Sequence, residues 1–243
     1  MRVAIASDIH GNKQAFEAVI AAAEADAAEE LWCLGDLVGY GAEPDACVAL
    51  ADAHCTLCLA GNHDLAVVEV LSLEEFSRGA ALAAYWTREV IRPDTREYLL
   101  SLKPQSHAEG IGLFHASPRD PIWEYVLSAL AAELCFDATA YRISLIGHSH
   151  VALSFHRPEG QPATGTTRRE GSEVDLSAGE WLVNPGSVGQ PRDGDPRAAW
   201  LVLDTDRWTA TWRRADYDIA GAQAAIRAAN LPDSLAERLQ YGQ

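Results

Sequence analysis

Basic residues are scarce in this 243-residue chain, and no long apolar run occurs in it. Its 19 lysines and arginines face 35 aspartates and glutamates, so the formal net charge is −16. A protein that coats nucleic acid or an anionic membrane needs a basic face, and the charge therefore argues against both partners. No apolar stretch reaches the roughly 18 residues that a transmembrane helix needs, so no membrane span is expected.

Cysteine is also sparse, with five residues scattered along the chain. An odd number of dispersed cysteines is typical of reduced thiols, and we expect a cytoplasmic protein. Cys55 and Cys58 have the spacing of a redox or zinc motif, but they lie in an apolar run that is predicted to be a strand. Positions i and i+3 of a strand face opposite sides, so the pattern favours neither role.

The first 60 residues alternate between predicted strands and helices. Residues 2–7, 31–34 and 56–60 are apolar runs that predict strands, and residues 13–25 and 44–53 have helical periodicity, with Asn12 as the expected N-cap of the first helix. Strand and helix in alternation, joined by short loops, predict an α/β fold with a parallel sheet.

The remainder of the chain divides into a helical part and a strand-rich part. Residues 65–105 predict a helical insertion, which we interpret as a lid over the site, a plain scaffold or a dimer surface. Residues 123–136 are predicted to be helical, and 158–179 to form an exposed loop or loose hairpin. No linker divides the chain, so we expect one domain over 1–243; the sequence leaves the oligomeric state open. The other predicted strands are 111–114, 143–146, 151–156, 180–183, 198–204 and 208–213, and the closing helices are 218–229 and 233–240.

Five of the eight histidines lie in short polar segments that directly follow predicted strands. We expect these strands to belong to one sheet, and parallel strands place their carboxyl ends at one edge, where ligand sites form. A single histidine near a strand end is more often a hydrogen-bonded structural residue, and His54, His107 and His156 are assigned to that class. If all five polar segments were structural in this way, their convergence on one sheet edge would require five independent coincidences. The converging residues are Asp8, His10, Asp36, Asn62, His63, Asp64, His115, His148 and His150.

The types and spacing of these residues predict metal binding. Asp8 and His10 are two positions apart, as are His148 and His150, and in extended backbone such a pair points the same way. Carboxylate, imidazole and amide ligands without thiolate suit Mn, Fe, Zn or Ni. Seven ligands are too many for one catalytic zinc ion, and they suit two ions about 3.5–4 Å apart, bridged by a carboxylate and a hydroxide. The predicted ligands are Asp8, His10, Asp36, Asn62, His115, His148 and His150.

The order of these segments resembles the calcineurin-like metallophosphoesterase superfamily, and in particular its small prokaryotic phosphodiesterase branch. Residues 184–192, which read Asn-Pro-Gly-Ser-Val-Gly-Gln-Pro-Arg, add to the resemblance. All five motifs of the superfamily are present in order: Asp8-Ile-His10, Gly35-Asp-Leu-Val-Gly39, Gly61-Asn-His-Asp64, His115 and Gly147-His-Ser-His150.

This resemblance implies a four-layer αββα sandwich of two mixed β-sheets flanked by helices, classed as α/β or in some schemes α+β. It assigns Asp8, His10, Asp36 and His150 to one divalent ion, and Asp36, Asn62, His115 and His148 to the other. The expected reaction is attack on phosphorus by a hydroxide that bridges the ions, with His63 as the general acid. Asp64 is a candidate for orienting His63, although adjacent side chains of an extended backbone point apart.

One departure from the superfamily bears on the substrate. Its Ser/Thr protein phosphatases carry Gly-Asp-x-x-Asp-Arg-Gly, whereas Gly39 and Tyr40 stand here in place of the second Asp and the Arg. Without that Asp and Arg, fewer charged groups support the binding of a dianionic monoester, which favours small soluble phosphodiesters as substrates. Cyclic nucleotides, dinucleoside polyphosphates and monoesters stay open, and Mn is the favoured metal. Arg119 and Arg192 are candidates for binding a phosphate, and Tyr40 for stacking on a base.

Two other functions fit the same residues. A catalytically silent, metal-binding scaffold would share the fold, but every ligand position and the His63 position are filled in this chain. A dimetal hydrolase that attacks an amide or ester carbonyl is compatible with the ligand set, although the ordered motifs argue against it.

Overall fold

Two six-stranded sheets form the centre of the protein, described here from a computed structural model that covers residues 1–243. The strands are β1 (Arg2–Ala6), β2 (Glu30–Cys33), β3 (Leu57–Cys58), β4 (Gln105–Ala108), β5 (Ile111–Phe114), β6 (Ile143–Leu145), β7 (Leu153–Arg157), β8 (Thr164–Thr167), β9 (Glu173–Asp175), β10 (Glu180–Asn184), β11 (Ala198–Asp204) and β12 (Thr209–Ala215). The helices are α1 (Lys13–Ala25), α2 (Pro44–His54), α3 (Asn62–Val67), α4 (Arg78–Val90), α5 (Pro93–Ser101), α6 (Ala129–Asp137), α7 (Ile219–Ala228) and α8 (Asp233–Glu237), and a 3₁₀ turn follows at Arg238–Gln240.

Both sheets are mixed. The first has the order β3-β2-β1-β11-β12-β9, with β1, β2 and β3 parallel and β11 antiparallel to β1. The second has the order β4-β5-β6-β10-β7-β8, with β5, β6 and β10 parallel. Strands β11 and β12 form a hairpin, with Ala198 opposite Ala215.

Alternation along the strands creates the four layers. In β1, Val3 and Ile5 pack into a core that also contains Leu113 and Leu145 of the second sheet. Ala4 and Ala6 point the other way, into the core beneath α1 and α2. On the far side of the second sheet, α6 packs against β5, β7 and β10. Since each sheet has one face toward the other sheet and one toward helices, the predicted αββα sandwich is confirmed.

The ends of the helices follow local sequence signals. Asn12 caps α1 as predicted, because its side-chain oxygen accepts a hydrogen bond of 3.1 Å from the Ala15 N–H. Pro44 and Pro93 open α2 and α5, where a missing N–H has no cost. The helical insertion comprises α3, α4 and α5, and α7 and α8 pack on α4 through a small apolar cluster. None of the helices combines the length and apolarity that crossing a membrane requires.

Several predicted elements are wrong in extent. The helix expected over 123–136 begins only at Ala129, because Ser128 caps it and the preceding residues run along the site as an irregular loop. The strand expected over 56–60 shrinks to Leu57–Cys58. The segment 158–179 contains two strands, β8 and β9, which pair with different sheets. Strand β4 was not predicted, because its exposed polar residues lack an alternating pattern.

Candidate functional site

Strand ends from both sheets meet at one place. Asp8 and His10 follow β1, and Asp36 follows β2, in the first sheet; His115 follows β5, and His148 and His150 follow β6, in the second. The prediction that one sheet carries all these segments is therefore wrong. Main-chain hydrogen bonds join neighbouring segments within each sheet, from Asp8 N–H to the Gly35 carbonyl at 3.0 Å in the first and from Gly147 N–H to the His115 carbonyl at 2.7 Å in the second.

The candidate ligands lie in tight left-handed turns rather than in extended backbone. Five of the candidate ligands have φ between +52° and +63°: Asp8, His10, Asp36, His148 and His150. The expectation that the i, i+2 pairs converge through extended geometry is thus wrong, since the chain reverses sharply at each strand end to aim the side chains inward. Such conformations cost about 1–3 kcal/mol each for a residue with a Cβ and persist where the surrounding structure holds them, typically at functional sites.

Two glycines shape the surroundings of Asp36. Gly35 has a φ of +101°, which only glycine adopts easily, and this permits a sharp turn directly before Asp36. Gly61 has an ordinary φ of −95°, so its role is space and not conformation. A Cβ on Gly61 would lie 1.9 Å from Asp36 Oδ1, so any side chain there would displace the carboxylate.

The ligand atoms form two groups that share Asp36. In the first, His10 Nε2 lies 3.0 Å from His150 Nε2 and 3.5 Å from Asp36 Oδ2, and Asp8 Oδ1 lies 3.5 Å from His150 Nε2. In the second, His115 Nε2 lies 3.6 Å from Asp36 Oδ2 and 3.2 Å from Asn62 Oδ1. The groups whose ligand atoms all lie within 4.8 Å of one another are Asp8, His10, Asp36 and His150, and Asp36, His115 and His148.

Backbone carbonyls fix the tautomer of three histidines. The Nδ1 atoms of His10, His115 and His150 lie 3.1, 2.9 and 2.7 Å from the carbonyl oxygens of Val38, Leu34 and Gln190. Carbonyl oxygens accept hydrogen bonds only, so each Nδ1 carries the proton and each Nε2 presents a lone pair to the centre.

This arrangement fits cations and is poorly satisfied without them. The Nε2 lone pairs of His10 and His150 face each other at 3.0 Å, which is repulsive unless a positive charge lies between them. Asp36 Oδ2 and His148 Nε2 are buried and have no hydrogen-bond partner. Buried polar atoms are normally paired, so their convergence points to a ligand that both can bind.

The electrostatics lead to the same conclusion. Burial raises the pKa of Asp8 to about 7, and burial together with the charge of Asp64 raises the pKa of Asp36. Burial lowers the pKa of His10, His148 and His150, which keeps these imidazoles neutral and able to coordinate. Carboxylates disfavoured in their charged form become favourable beside a divalent ion.

Asp64 does not orient His63. Residues 62–67 are helical rather than extended, and the Asp64 carboxylate caps this helix by accepting a hydrogen bond of 2.9 Å from Gly61 N–H. Its other oxygen accepts from Val38 N–H at 3.1 Å. Asp64 thus ties the Asp36 turn to the start of α3.

His63 lies against Gly39. A Cβ on Gly39 would lie 2.3 Å from His63 Nδ1, and this buried nitrogen has no partner. The ring contacts Tyr40 and Phe76, with centroid distances of 4.5 and 4.9 Å. Burial and the charges of Arg192 and His115 lower the pKa of His63 to about 3, so the free imidazole is neutral.

The segment 184–192 supports the ligands from behind. Ser187 Oγ donates a hydrogen bond of 2.8 Å to the Asp8 carbonyl, and the Gln190 carbonyl binds His150. Asn184 Nδ2 donates to the Gly147 carbonyl at 2.7 Å. Sequence reasoning identified this segment by resemblance and did not foresee these supporting roles, because they join residues far apart in the chain.

A cleft of about 310 Å³ opens onto the ligands. His63, Tyr40 and Arg192 border it, as expected for groups that meet a substrate. Arg119 does not border it, and its guanidinium pairs with Glu124 at 2.8 Å. Four residues of the lining that the sequence did not single out are Phe76, Trp123, Tyr125 and Arg238.

The comparisons with known proteins decide the family. Residues 1–207 match the family model of the calcineurin-like phosphoesterase superfamily domain. The chain belongs to this superfamily. The predicted family is thereby confirmed, and a phosphoesterase with a dinuclear divalent-metal site is the activity that the superfamily and the buried His/Asp cluster support.

Relatives with matching length support this assignment. The structure is similar to a metallophosphoesterase from Sphaerobacter thermophilus, with 39% identity, a TM-score of 0.90 and coverage of 100% of this chain and 99% of that one. An uncharacterized protein of Methanocaldococcus jannaschii is 36% identical over 99% of this chain and 98% of its own length. A hypothetical protein from Pyrococcus horikoshii shares the fold, with a TM-score of 0.79, 19% identity and coverage of 100% of this chain and 98% of that one.

Proposed function

We propose that this superfamily member is a dimetal-dependent hydrolase of small phosphate esters, with phosphodiesters as its preferred substrates. The observation that carries the proposal is the pair of ligand groups that share Asp36, at the floor of a cleft large enough for a small substrate. When bound, two divalent ions neutralise phosphate charge and supply a nucleophilic hydroxide at neutral pH.

The proposed ligand assignment follows the two groups. Asp8, His10, Asp36 and His150 would hold one ion, and Asp36, His115 and His148 the other, with Asn62 Oδ1 beside His115 as a further ligand. The hydrogen bonds to Val38, Leu34 and Gln190 hold the rings before any ion arrives, which lowers the cost of ordering them. Mn is the proposed metal, and the same imidazole and carboxylate donors also suit Fe, Zn and Ni.

His63 is proposed to act on the leaving group. Its buried Nδ1 has no hydrogen-bond acceptor, so we expect the proton of the neutral ring to lie on Nε2. Because His63 borders the cleft, Nε2 is the nitrogen available to a substrate. From there Nε2–H can donate to the departing oxygen. The negative charge of a bound phosphate opposes the effects of Arg192 and His115 and raises the pKa of the ring toward the range of a general acid.

The preference for diesters rests on the second motif. Gly39 and Tyr40 stand in place of the aspartate and the arginine of the protein phosphatases. Arg192 supplies one cation from another segment, with its guanidinium 5.8 Å from the Tyr40 ring centroid. Cation support for a dianionic monoester is therefore smaller than in those enzymes. We further propose that the whole chain acts as one domain, because α7 and α8 pack against α4 and the 3₁₀ turn after α8 brings Arg238 to the cleft. A cytoplasmic location stays a prediction.

A panel of substrates tests the proposal. Bis(4-nitrophenyl) phosphate, 4-nitrophenyl phosphate and 4-nitrophenyl acetate are offered to protein loaded with Mn, Ni, Fe, Zn or Mg. We expect the diester to be hydrolysed fastest, and activity to disappear with a chelator and return with the metal. Faster turnover of the acetate would indicate a carbonyl hydrolase. Metal binding without turnover of any substrate would indicate the silent scaffold.

A further inference from the structure

Two arginines that border the cleft have no aspartate or glutamate partner. Arg192 and Arg238 form none of the ion pairs of the protein, although acidic residues outnumber basic ones by 35 to 19. Other arginines, such as Arg119, Arg157 and Arg197, pair with carboxylates at 2.6 to 3.0 Å. Other arginines, such as Arg78 and Arg207, also form no ion pair, so what distinguishes Arg192 and Arg238 is that both border one cleft.

Arg192 lies close to the reacting end of the cleft. It reaches Tyr40 Oη at 3.4 Å and Gln190 Oε1 at 3.0 Å, while its buried Nε has no partner. Its charge lowers the pKa of His10 and His63, so it acts electrostatically on a candidate ligand and on the proposed general acid. This placement suits an oxygen of the phosphate that is cleaved.

Arg238 enters the same cleft from the 3₁₀ turn that follows α8. Its Nε donates to the Gln243 main-chain oxygen, and its two Nη nitrogens have no protein partner. Burial and the charge of Arg192 lower the pKa of Arg238, so the two guanidiniums repel each other in the free protein. Glu75 also borders the cleft, but it is exposed and pairs with neither arginine.

An aromatic wall completes the lining. The Phe76 and Trp123 rings meet edge to face at 5.3 Å, and the Tyr125 ring lies 4.2 Å from the His148 ring. Exposed faces of such rings suit an aromatic group of a ligand. Arg238 lies beyond the residues 1–207 that match the family model, so its contribution belongs to this chain's own C-terminal segment.

We propose that Arg238 binds a second phosphate on the substrate, next to the phosphate that Arg192 and the metal centre receive. The substrate class is then an aromatic phosphate ester with an additional phosphate group, and Arg238 determines the preference for it. This inference rests on the proposed function for the identity of the cleaved phosphate. A charge-assisted hydrogen bond to a phosphate relieves the repulsion between the guanidiniums and adds binding energy.

Calorimetric binding tests this inference independently of turnover. Thymidine 5′-monophosphate and thymidine 3′,5′-bisphosphate, which differ by one phosphate, are titrated into the Mn-loaded protein. We expect the bisphosphate to bind about tenfold more tightly, the effect of one charge-assisted hydrogen bond. Arg238→Gln should reduce the preference to within about twofold, and Arg238→Lys should retain part of it.

The matched control is Arg227→Gln, which removes an exposed arginine of the same C-terminal segment that pairs with Asp233. It should keep the full preference. Equal binding of the two nucleotides by the wild type, or an undiminished preference in Arg238→Gln, would overturn the inference. If the protein preferred the bisphosphate but hydrolysed no ester, only the proposed function would be contradicted. If it hydrolysed esters but did not prefer the bisphosphate, only the role of Arg238 would be contradicted.

Discussion

Replacing Asp36 by asparagine should separate metal binding from folding. Asp36 is the residue that both ligand groups share, and its Oδ2 lies 3.5 Å from His10 Nε2 and 3.6 Å from His115 Nε2. Asparagine keeps the shape and the Oδ1 that accepts a hydrogen bond from His63 N–H at 2.9 Å, but it removes the charge between the ions.

The magnitude follows from ligand linkage. An ion present at 100 times its dissociation constant adds about 2.7 kcal/mol to the free energy of unfolding, and two ions add twice that. Since about 1 kcal/mol shifts the Tm of a chain of this size by about 2–4 °C, Mn should raise the wild-type Tm by roughly 10–20 °C. In Asp36→Asn the shift should fall below about 5 °C.

Without metal, the order of stability should not favour the wild type. Burial and the charge of Asp64 raise the pKa of Asp36, so near pH 8 the ionised carboxylate is a cost that asparagine avoids. The metal-free variant should therefore melt at or above the wild-type Tm. Calorimetry of both proteins with chelator and with Mn measures each quantity, and Asp216→Asn, a change at an exposed aspartate, is the control. A wild-type Mn shift in Asp36→Asn would refute the shared-ligand assignment.

Three further predictions concern the cleft. His63→Ala should slow the hydrolysis of diesters with alkyl leaving groups about 10²–10⁴-fold. It should slow the release of 4-nitrophenolate by less than about tenfold, because that anion needs no proton to leave. Equal losses of kcat for the two kinds of diester would contradict the leaving-group role. Gly39→Ala places a Cβ 2.3 Å from His63 Nδ1 at a φ of +87°. Denaturant unfolding should therefore show a loss of about 1–3 kcal/mol in the free energy of unfolding, and kcat should fall while metal content is retained. An unchanged kcat would show that catalysis tolerates displacement of His63. Arg119→Gln should leave kcat and KM within about twofold, because Arg119 pairs with Glu124 outside the cleft, and a tenfold rise in KM would place it at the substrate.

The grouping of the candidate ligands was predictable from the sequence because polar residues follow apolar strands. Asp8, Asp36 and His115 each come directly after such a run, and the strand ends do meet. That the strands divide between two sheets was not visible in this pattern, since residues 111–114 and 143–146 look like any buried parallel strand. The two-sheet arrangement came from the resemblance to the superfamily.

The local geometry of the ligands was not predictable by pattern alone. The left-handed turns at His10 and His148 arise because the chain must reverse at the strand end while its side chains point inward, and tertiary contacts hold them there. The turn between β4 and β5 had one sequence signal, Gly110, although β4 itself had none. Glu109 and Gly110 both have positive φ, as a two-residue type I′ hairpin turn requires, and a glycine at the second position is typical of it.

The walls of the cleft depended on long-range packing. Trp123 and Tyr125 were expected in a helix, whereas they form a loop against Phe76 and His148 before Ser128 starts α6. Arg238 lies far in the sequence from every motif and reaches the cleft only because α7 and α8 fold back onto α4. Neither composition nor periodicity carries that information.

Anomalous scattering from a Mn-soaked crystal tests the central claim most directly. We expect two peaks about 3.5–4 Å apart, one beside His10 and His150 and the other beside His115 and His148, with Asp36 between them. A single peak, or none, at saturating Mn would contradict a dinuclear centre.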